Sequence, residues 1–513
     1  MNAPCATGST IDPACHAEGF SFGSLRACGL MLGAIAAFQI AFEIPGAGVL
    51  VLAYAAALLE LRRLGSPRQA FYAGLLTGLG VFVPQTLFLW TIFGPIALVL
   101  CLILAFFHAV FVLALNSVQA RWGTRWALML APVLWCGIEY FRSEVWWLRF
   151  TWFTAASPLI EHAGIWAHAV GIYGLGFVAF LVAAVMARLG NRPPLRRGLL
   201  FGAGVVGLFL MGSRIGGFDS APVQSNGIRV AGIQMEFPGV PEVVMALNRL
   251  AQTHPDAELV MLSEYTFDGP VPDSVRAWCR KHRKWLVAGG KEPNPAAFAA
   301  GGAFAGGTDT GRTLGVKTGS EDRHGYFNTA FVISTNGEVV FSQAKSRPIQ
   351  FFADGAPATR QRLWNSPWGP LGIAICYDLS YRQVMDRLVE LGATALLIPT
   401  MDVETWGERE HRLNARMARV RAAEYGIPIF RVASSGVSQL VDPSGRETAT
   451  APVPGPGAVI AGTLFPRDLT HRPATIPWDR WFAPACSLVA GLILAALCIP
   501  GKHALARSSH SPS

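Results

Sequence analysis

Three side chains of complementary chemistry lie in order along the second half of this 513-residue chain. Glu264, Lys345 and Cys376 each follow directly on a short apolar segment of the kind that forms a β-strand. Each side chain is therefore expected at a strand end, where a sheet borders a cleft. A carboxylate, an ammonium and a thiol in one cleft can carry out nucleophilic acyl transfer.

The three side chains would have separate roles in such a site. A free cysteine has a pKa of about 8.5 and attacks a carbonyl carbon only after losing its proton. Glu264 is expected to take that proton, and Lys345 to stabilise the oxyanion of the tetrahedral intermediate. The backbone N–H of Tyr377, next to the thiol, is a second expected oxyanion donor. Taken singly, each residue also has an ordinary structural interpretation, as buried filler, a helix cap or a solvated side chain.

A domain of short apolar segments, residues 227–465, contains all three residues. Predicted strands alternate with helices, and the turns at 335–338 and 442–446 have the sequences of β-hairpins. The pattern predicts a mixed α/β fold with helices packed on the sheet. The segment 294–320 is rich in Ala, Gly and Thr without a period, and predicts a loop that is either a functional lid or an insertion.

Long apolar runs on both sides of this domain predict membrane-spanning helices. The chain is 52% hydrophobic and only 15% charged, whereas soluble domains are about 25% charged. Since a helical span needs about 20 mostly apolar residues, we predict a seven-helix bundle over 27–213 and one closing helix over 482–500. The eight predicted spans are 27–42, 48–61, 70–91, 96–115, 126–141, 163–187, 198–212 and 482–499.

Basic residues beside these spans predict the orientation of the chain. With eight spans, most of the flanking arginines lie on one side of the membrane, which the positive-inside rule assigns to the cytoplasm. The tails 1–26 and 501–513 are then cytoplasmic, and the α/β domain is periplasmic. These arginines largely account for the net charge of +9, and nothing indicates binding of nucleic acid.

The nine cysteines have no regular spacing and include no zinc-binding pair. The external domain contains only Cys279 and Cys376. A disulfide between them would block the nucleophile, so both are expected as free thiols. The predicted chemistry requires no metal and no organic cofactor.

The sequence around the three residues resembles the nitrilase, or carbon–nitrogen hydrolase, superfamily. The membrane bundle, external domain and closing span resemble the apolipoprotein N-acyltransferase family over nearly the whole chain. The resemblance implies an α-β-β-α sandwich for the external domain, and catalytic roles for Glu264, Lys345 and Cys376. The matching stretches are 232–234, 326–329, 372–377, 411–424 and 434–445.

Supporting positions depart from the pattern of that family. After the lysine, the family usually has a glutamate that supports the site, whereas this chain has Asp354 at a different offset. Asp378 stands where the family often has glutamate. Asp354, Asp378 and Tyr377, together with Asn328 of a matching stretch, are therefore predicted as substrate-positioning or oxyanion residues.

The resemblance implies transfer of an acyl chain from a membrane phospholipid to the α-amine of diacylglyceryl-cysteine in an apolipoprotein. Cys376 would hold the acyl group as a thioester, in the inner membrane of a bacterium. Two alternatives stay open, a membrane-tethered amidase with water as acceptor and a catalytically inactive envelope scaffold. Replacing Cys376 distinguishes the scaffold from both enzymes, and the choice of acceptor distinguishes the two enzymes.

Overall fold

A helical N-terminal part, an α/β domain and a final helix follow one another along the chain. The predicted span 198–212 and most of the predicted loop 294–320 lie outside the described residues. The computed structural model describes residues 20–189, 227–295, 325–350, 352–455, 457–468 and 476–499.

The membrane part is built from helices that cover the other predicted spans. Four described helical segments are both long and apolar enough to cross a membrane: α1, α5, residues 166–188 of α7, and the final helix, Asp479–Cys498. Helices α2 and α6 are shorter, and α3 is long but less apolar, so the eight-span topology stays a prediction. The N-terminal helices are α1 Leu25–Glu43, α2 Val51–Glu60, α3 Pro67–Thr86, α4 Phe88–Phe93, α5 Ile96–Trp122, α6 Thr124–Tyr140 and α7 Ile160–Arg188.

Helices α3 and α5 approach each other closely along a strip of small residues. A methyl group added at Gly74 or Gly78 would lie 2.7 Å from the Cα of Ala109 or Ala105, respectively. Small residues spaced by four let two helix backbones pack at short distance, which is a common way of holding membrane helices together. This contact fixes α5, which forms a wall of the cavity described below.

The α/β domain contains two six-stranded sheets. The first has the order β12-β1-β2-β3-β4-β5 and the second β11-β10-β9-β8-β7-β6. Strands β1–β3 run parallel, as do β7–β9. The strands are β1 Ile228–Ile233, β2 Leu259–Leu262, β3 Trp285–Pro293, β4 Tyr326–Ile333, β5 Val339–Ala344, β6 Leu363–Ser366, β7 Gly369–Ile373, β8 Ala395–Thr400, β9 Ile429–Ala433, β10 Gln439–Val441, β11 Glu447–Thr450 and β12 Val459–Leu464.

The two sheets pack face to face with helices on their outer surfaces, which confirms the predicted α-β-β-α sandwich. Apolar residues from both sheets, such as Met261 and Phe430, share one buried cluster. The outer face of the first sheet packs on α8 and α9, and that of the second on α10 and α11. The remaining helices are α8 Val240–Thr253, α9 Asp273–His282, α10 Arg382–Glu390, α11 Glu408–Tyr425 and α12 Asp479–Cys498.

Both predicted hairpins are present. The turn at 335–338 joins β4 to β5, and the turn at 442–446 joins β10 to β11. Helices α9 and α10 and strands β6 and β11 were not predicted from the sequence. Their apolar residues are few or interrupted by polar ones, so the sequence pattern alone gives them a weak signal.

Candidate active site

Glu264, Lys345 and Cys376 all lie just beyond strand ends, as predicted. Glu264 follows β2, Lys345 follows β5, and Cys376 follows β7. Strands β2 and β7 belong to different sheets, and a main-chain hydrogen bond from Glu264 N to Thr400 O (3.4 Å) joins the sheets at this edge. The packing of the two sheets therefore brings the three residues together.

Lys345 lies between two carboxylates. Its Nζ donates to Glu264 Oε1 at 2.9 Å and is 2.8 Å from Asp354 Oδ2. The lysine side chain is fully buried and the carboxylates nearly so. Such a buried cluster is stable only when the charges are paired and hydrogen-bonded.

Asn328 and Asp354 complete this cluster. Asn328 Nδ2 donates to Glu264 Oε1 at 2.6 Å and to Asp354 Oδ1 at 2.8 Å. Asp354 also accepts from the hydroxyl of Tyr265 (2.8 Å) and the backbone N–H of Ile349 (2.7 Å). Asp354 therefore pairs directly with the lysine and is itself held by three further donors.

The second oxygen of Glu264 points toward the segment that borders the thiol. Oε2 accepts from the backbone N–H of Met401 at 2.8 Å, and the carbonyl oxygen of Met401 is 3.7 Å from Cys376 Sγ. Asn414 Nδ2 is 4.0 Å from the same sulfur. The backbone of Met401 therefore links the carboxylate to the sulfur.

Cys376 has the positive φ of +47° that L-residues seldom adopt. It begins a short 3-10 turn, Cys376–Ser380, which reverses the chain after β7. Trp152 Nε1 of the membrane part donates to Ser380 Oγ (2.9 Å), and Arg421 of α11 donates to Ser380 O (2.7 Å). These contacts fix the end of the turn, which helps to hold the strained backbone of Cys376 and places its sulfur at the cavity.

Asp378 acts on backbone groups within the protein. Its carboxylate accepts from the N–H groups of Ile375 (3.2 Å), Ser346 (3.1 Å) and Arg347 (2.7 Å). It therefore joins the turn of Cys376 to the segment after Lys345, and is absent from the cavity wall. Tyr377 does line the cavity, and its ring packs on Trp152 with centroids 6.0 Å apart.

Burial and charge set the proton positions in the site. Burial raises the pKa of Cys376 well above its usual value, and Glu264 raises it further while Lys345 lowers it. Burial also raises the pKa of Glu264, against the lowering effect of Lys345. Burial lowers the pKa of Lys345, but Asp354 and Glu264 outweigh this effect and keep it well above its usual value. The resting site therefore holds a thiol, a charged ammonium and a carboxyl of increased basicity.

An apolar cavity of about 120 Å³ connects Cys376 to the membrane helices. Residues of α4 and α5, including Phe88 and Leu104, form one wall, and aromatic residues of the loop after α6, including Trp146, form another. The α/β domain contributes Cys376, Tyr377, Trp406, Glu410 and Asn414. The thiol therefore faces a space shaped for an apolar chain.

Several residues of this region were not singled out from the sequence. Arg142 is buried, lines the cavity and donates to Phe153 O at 3.0 Å. Glu410 and Asn414 were not predicted as site residues. The sequence pattern that could have indicated them is a pair of polar residues one helical turn apart on the buried face of α11. Cys279 and Cys376 are both free, as expected.

A methyl group at Gly289 is expected to disturb Glu264. It would lie 2.6 Å from Glu264 Cα and 2.7 Å from Ser263 O, which are backbone atoms that cannot rotate away. We expect Gly289→Ala to lower the free energy of unfolding by about 1–3 kcal/mol. It should also slow acyl transfer by about tenfold or more, because small shifts of reacting groups are costly.

Thermal unfolding and activity in detergent test this effect. Gly269→Ala is the matched control, since no atom lies within 4 Å of the added methyl group. If Gly289→Ala and Gly269→Ala have the same melting temperature and the same activity, the site tolerates a displacement of Glu264.

Comparison with known proteins identifies both parts of the chain. Residues 29–185 match the apolipoprotein N-acyltransferase N-terminal domain, and residues 229–462 match the carbon–nitrogen hydrolase domain. The chain is 27% identical to the apolipoprotein N-acyltransferase of Pseudomonas putida over 490 residues, covering 87% of this chain and 92% of that protein. It is 24% identical to that of Allorhizobium ampelinum over 434 residues, covering 74% and 77%.

A solved structure, Saccharomyces cerevisiae Nit3 of the nitrilase superfamily, is 17% identical with a TM-score of 0.37, covering 56% of this chain and 99% of that one. The matched domain and the sandwich make this chain a carbon–nitrogen hydrolase superfamily protein. Its N-terminal domain and its relatives show further that it belongs to the apolipoprotein N-acyltransferase family.

Proposed function

We propose that this protein transfers an acyl chain from a membrane phospholipid to the N-terminal α-amine of a diacylglyceryl lipoprotein, through a thioester on Cys376. The observation that best supports this function is the cavity between the membrane helices and the thiol. An amidase acting on a soluble substrate would have no use for an apolar wall contributed by α5, a candidate membrane span. The family of the chain supports the same acceptor.

The first half-reaction forms the thioester. Glu264 takes the proton of Cys376 as the sulfur attacks the ester carbonyl carbon of the phospholipid. Lys345 and the backbone N–H of Tyr377 stabilise the oxyanion. Collapse of the intermediate breaks the ester bond, and lysophospholipid leaves with the proton that Glu264 held.

The second half-reaction transfers the acyl group to nitrogen. The lipoprotein amine attacks the thioester carbon, and the intermediate collapses to an amide with loss of one amine proton through Glu264 to the sulfur. The products are the N-acylated lipoprotein and the Cys376 thiol. Because Glu264 returns every proton that it takes, one carboxyl serves both half-reactions.

The same arrangement supports a location at the outer surface of the bacterial inner membrane. Both substrates are anchored in lipid, and the cavity wall on α5 brings the acyl donor to the α/β domain without leaving the membrane surface. With both termini in the cytoplasm, this domain would face the periplasm, where diacylglyceryl lipoproteins are exposed.

Mass spectrometry of the intact protein tests the thioester. Purified protein is incubated in detergent with a phospholipid of defined chain length, and its mass is measured before and after proteolysis. We expect an added acyl mass that maps to the peptide containing Cys376. Addition of a diacylglyceryl-cysteine peptide should then remove this mass and acylate the peptide amine.

Two results would contradict the proposal. A folded, unmodified protein after incubation with phospholipid would exclude the thioester route from that donor. A thioester that water removes as fast as the peptide does would favour the amidase alternative.

A further inference from the structure

Two buried oxygen atoms on the face of α11 that borders the cavity have no hydrogen-bond partner among the described residues. These atoms are Oε2 of Glu410 and Oδ1 of Asn414, and both residues line the cavity that contains Cys376. The two residues are one helical turn apart, so their side chains are neighbours on one face. Glu410 is only 2% exposed. Buried oxygens in native proteins are nearly always hydrogen-bonded, so this pair needs an explanation.

The orientation of the Asn414 amide is fixed by Asp402. Asn414 Nδ2 donates to Asp402 Oδ1 at 2.7 Å, and a carboxylate only accepts hydrogen bonds. The carbonyl oxygen of Asn414 is therefore the acceptor end. Nδ2 of the same side chain is 4.0 Å from Cys376 Sγ, so the Asn414 amide borders the thiol.

The charged groups around Glu410 leave its carboxyl without a cationic partner in the described part of the chain. Arg431 pairs with Asp402 at 2.6 Å, and Arg142, which lines the same cavity, donates to Phe153 O at 3.0 Å. His411 Nε2 is 3.9 Å from Glu410 Oε2 but hydrogen-bonds to Val403 O at 2.9 Å. Burial raises the pKa of Glu410, Asp402 raises it further, and Arg431 lowers it, with a net value well above the usual range.

We propose that Glu410 Oε2 and Asn414 Oδ1 together bind the primary amine of the acyl acceptor. The inference rests on the proposed function and assigns a subsite to its second substrate. A primary amine offers N–H donors to both oxygens and can direct its lone pair at the thioester carbon on Cys376. An ammonium has three N–H donors and a positive charge that pairs with the carboxylate, whereas water has two donors and no charge and an alcohol has one donor, so the subsite favours the amine as the nucleophile.

The subsite also supplies the amine in its reactive form. An ammonium has no lone pair and cannot attack. In the bound pair, a proton passes from the ammonium to the carboxylate of Glu410, which leaves a neutral amine beside a neutral carboxyl. The nitrogen then forms the amide bond as the carbon–sulfur bond breaks, and one of its two protons passes through Glu264 to the sulfur while the other stays on the amide. Glu410 afterwards releases its proton to solvent, which restores the carboxylate.

The test separates the two half-reactions in Glu410→Gln, which keeps the shape of the side chain but cannot take the proton. The acyl-enzyme is first formed from phospholipid, and its discharge is then followed by mass with a diacylglyceryl-cysteine peptide or with 2-mercaptoethanol. We expect thioester formation at the wild-type rate and discharge by the amine that is roughly 100-fold slower. Discharge by the thiol, which carries no ammonium, should not change.

The pH dependence provides a second readout. In Glu410→Gln, discharge by the amine should rise with pH toward the pKa of the free α-amine, about 7.7–8.0, because deprotonation then occurs in solution. In the wild type, the rate should level off at a lower pH. Glu408→Gln is the matched control on the same helix, since Glu408 is exposed, pairs with Arg412 and is absent from the cavity wall.

The outcomes separate this inference from the proposed function. A wild type that forms no acyl-enzyme would overturn the proposed function itself. If the acyl-enzyme forms, equal discharge by the amine in Glu410→Gln and the wild type would overturn the amine subsite. Equal slowing with amine and thiol, or a loss of thioester formation, would also overturn it, because either shows a general defect of the site.

Discussion

Replacing Cys376 by alanine is expected to abolish thioester formation and to lower acyl transfer by roughly 10⁴-fold or more, as loss of a covalent nucleophile does. No other described residue can replace the sulfur, because the cavity wall contains no second thiol and no serine or threonine. The fold should persist, since alanine removes one buried atom and retains the backbone conformation. Loss of intact-mass labelling by phospholipid and loss of product from a lipopeptide acceptor measure the two effects.

Cys279→Ala is the matched control for this experiment. Cys279 is also a free, buried cysteine of the α/β domain, but it lies on α9, packs against the first sheet and is absent from the cavity wall. We expect this variant to keep its activity. A Cys376→Ala protein that still supports its cellular role would instead favour the scaffold alternative, in which the cavity and cluster have no catalytic use.

The strand ends that carry the site could be predicted because they depend on local sequence. Glu264, Lys345 and Cys376 each end a short apolar segment, and each segment forms a strand, whether fully buried as β2 or partly exposed at the sheet edge as β5. Helix α11 has an equally local signal, because Gly407 and Gly426 flank the uninterrupted helical sequence Glu408–Tyr425. Local signals of this kind do not depend on the rest of the chain.

The cavity could not be predicted because distant segments create it. Its walls come from α4, α5, the loop after α6 and the α/β domain, which are brought together only by tertiary packing. The role of Asp378 was equally hidden, because its three backbone partners include residues from the segment after Lys345. A sequence pattern shows which residues are polar, but not which buried donors they meet.

Replacing Lys345 by methionine is expected to destabilise the α/β domain and to stop thioester formation. The variant leaves Glu264 and Asp354 buried side by side, with Asn328 Nδ2 as their shared donor. Removing one partner of a buried charge cluster typically costs about 3–5 kcal/mol of unfolding free energy. Thioester formation should stop as well, because the oxyanion loses its cation.

The loss of stability in this variant is expected to depend on pH. Burial and the neighbouring Asp354 raise the pKa of Glu264, and without the opposing ammonium this pKa should lie further above its unfolded value of about 4. The folded state then binds more protons than the unfolded state, so the free energy of unfolding rises as the pH falls. The free energy of unfolding of Lys345→Met should therefore differ less from that of the wild type at pH 5 than at pH 8. Denaturant unfolding at several pH values measures this difference.

Two further variants decide whether the charge of Lys345 is the cause. Adding Asp354→Asn to Lys345→Met removes one of the two buried carboxylates that have lost their counter-charge. The double variant should regain part of the lost free energy of unfolding but should not form the thioester. Lys284→Met is the control for loss of a buried lysine, because in the described part of the chain the Nζ of Lys284 donates to the carbonyl oxygens of Pro255 and Ala257 and to no carboxylate. We expect Lys284→Met to lower the free energy of unfolding by less than Lys345→Met does and to keep its activity. Its difference in stability from the wild type should be the same at pH 8 and pH 5. If instead Lys345→Met behaves like Lys284→Met and still forms the thioester, the ammonium is neither the counter-charge nor the oxyanion group, because both roles require it beside Glu264.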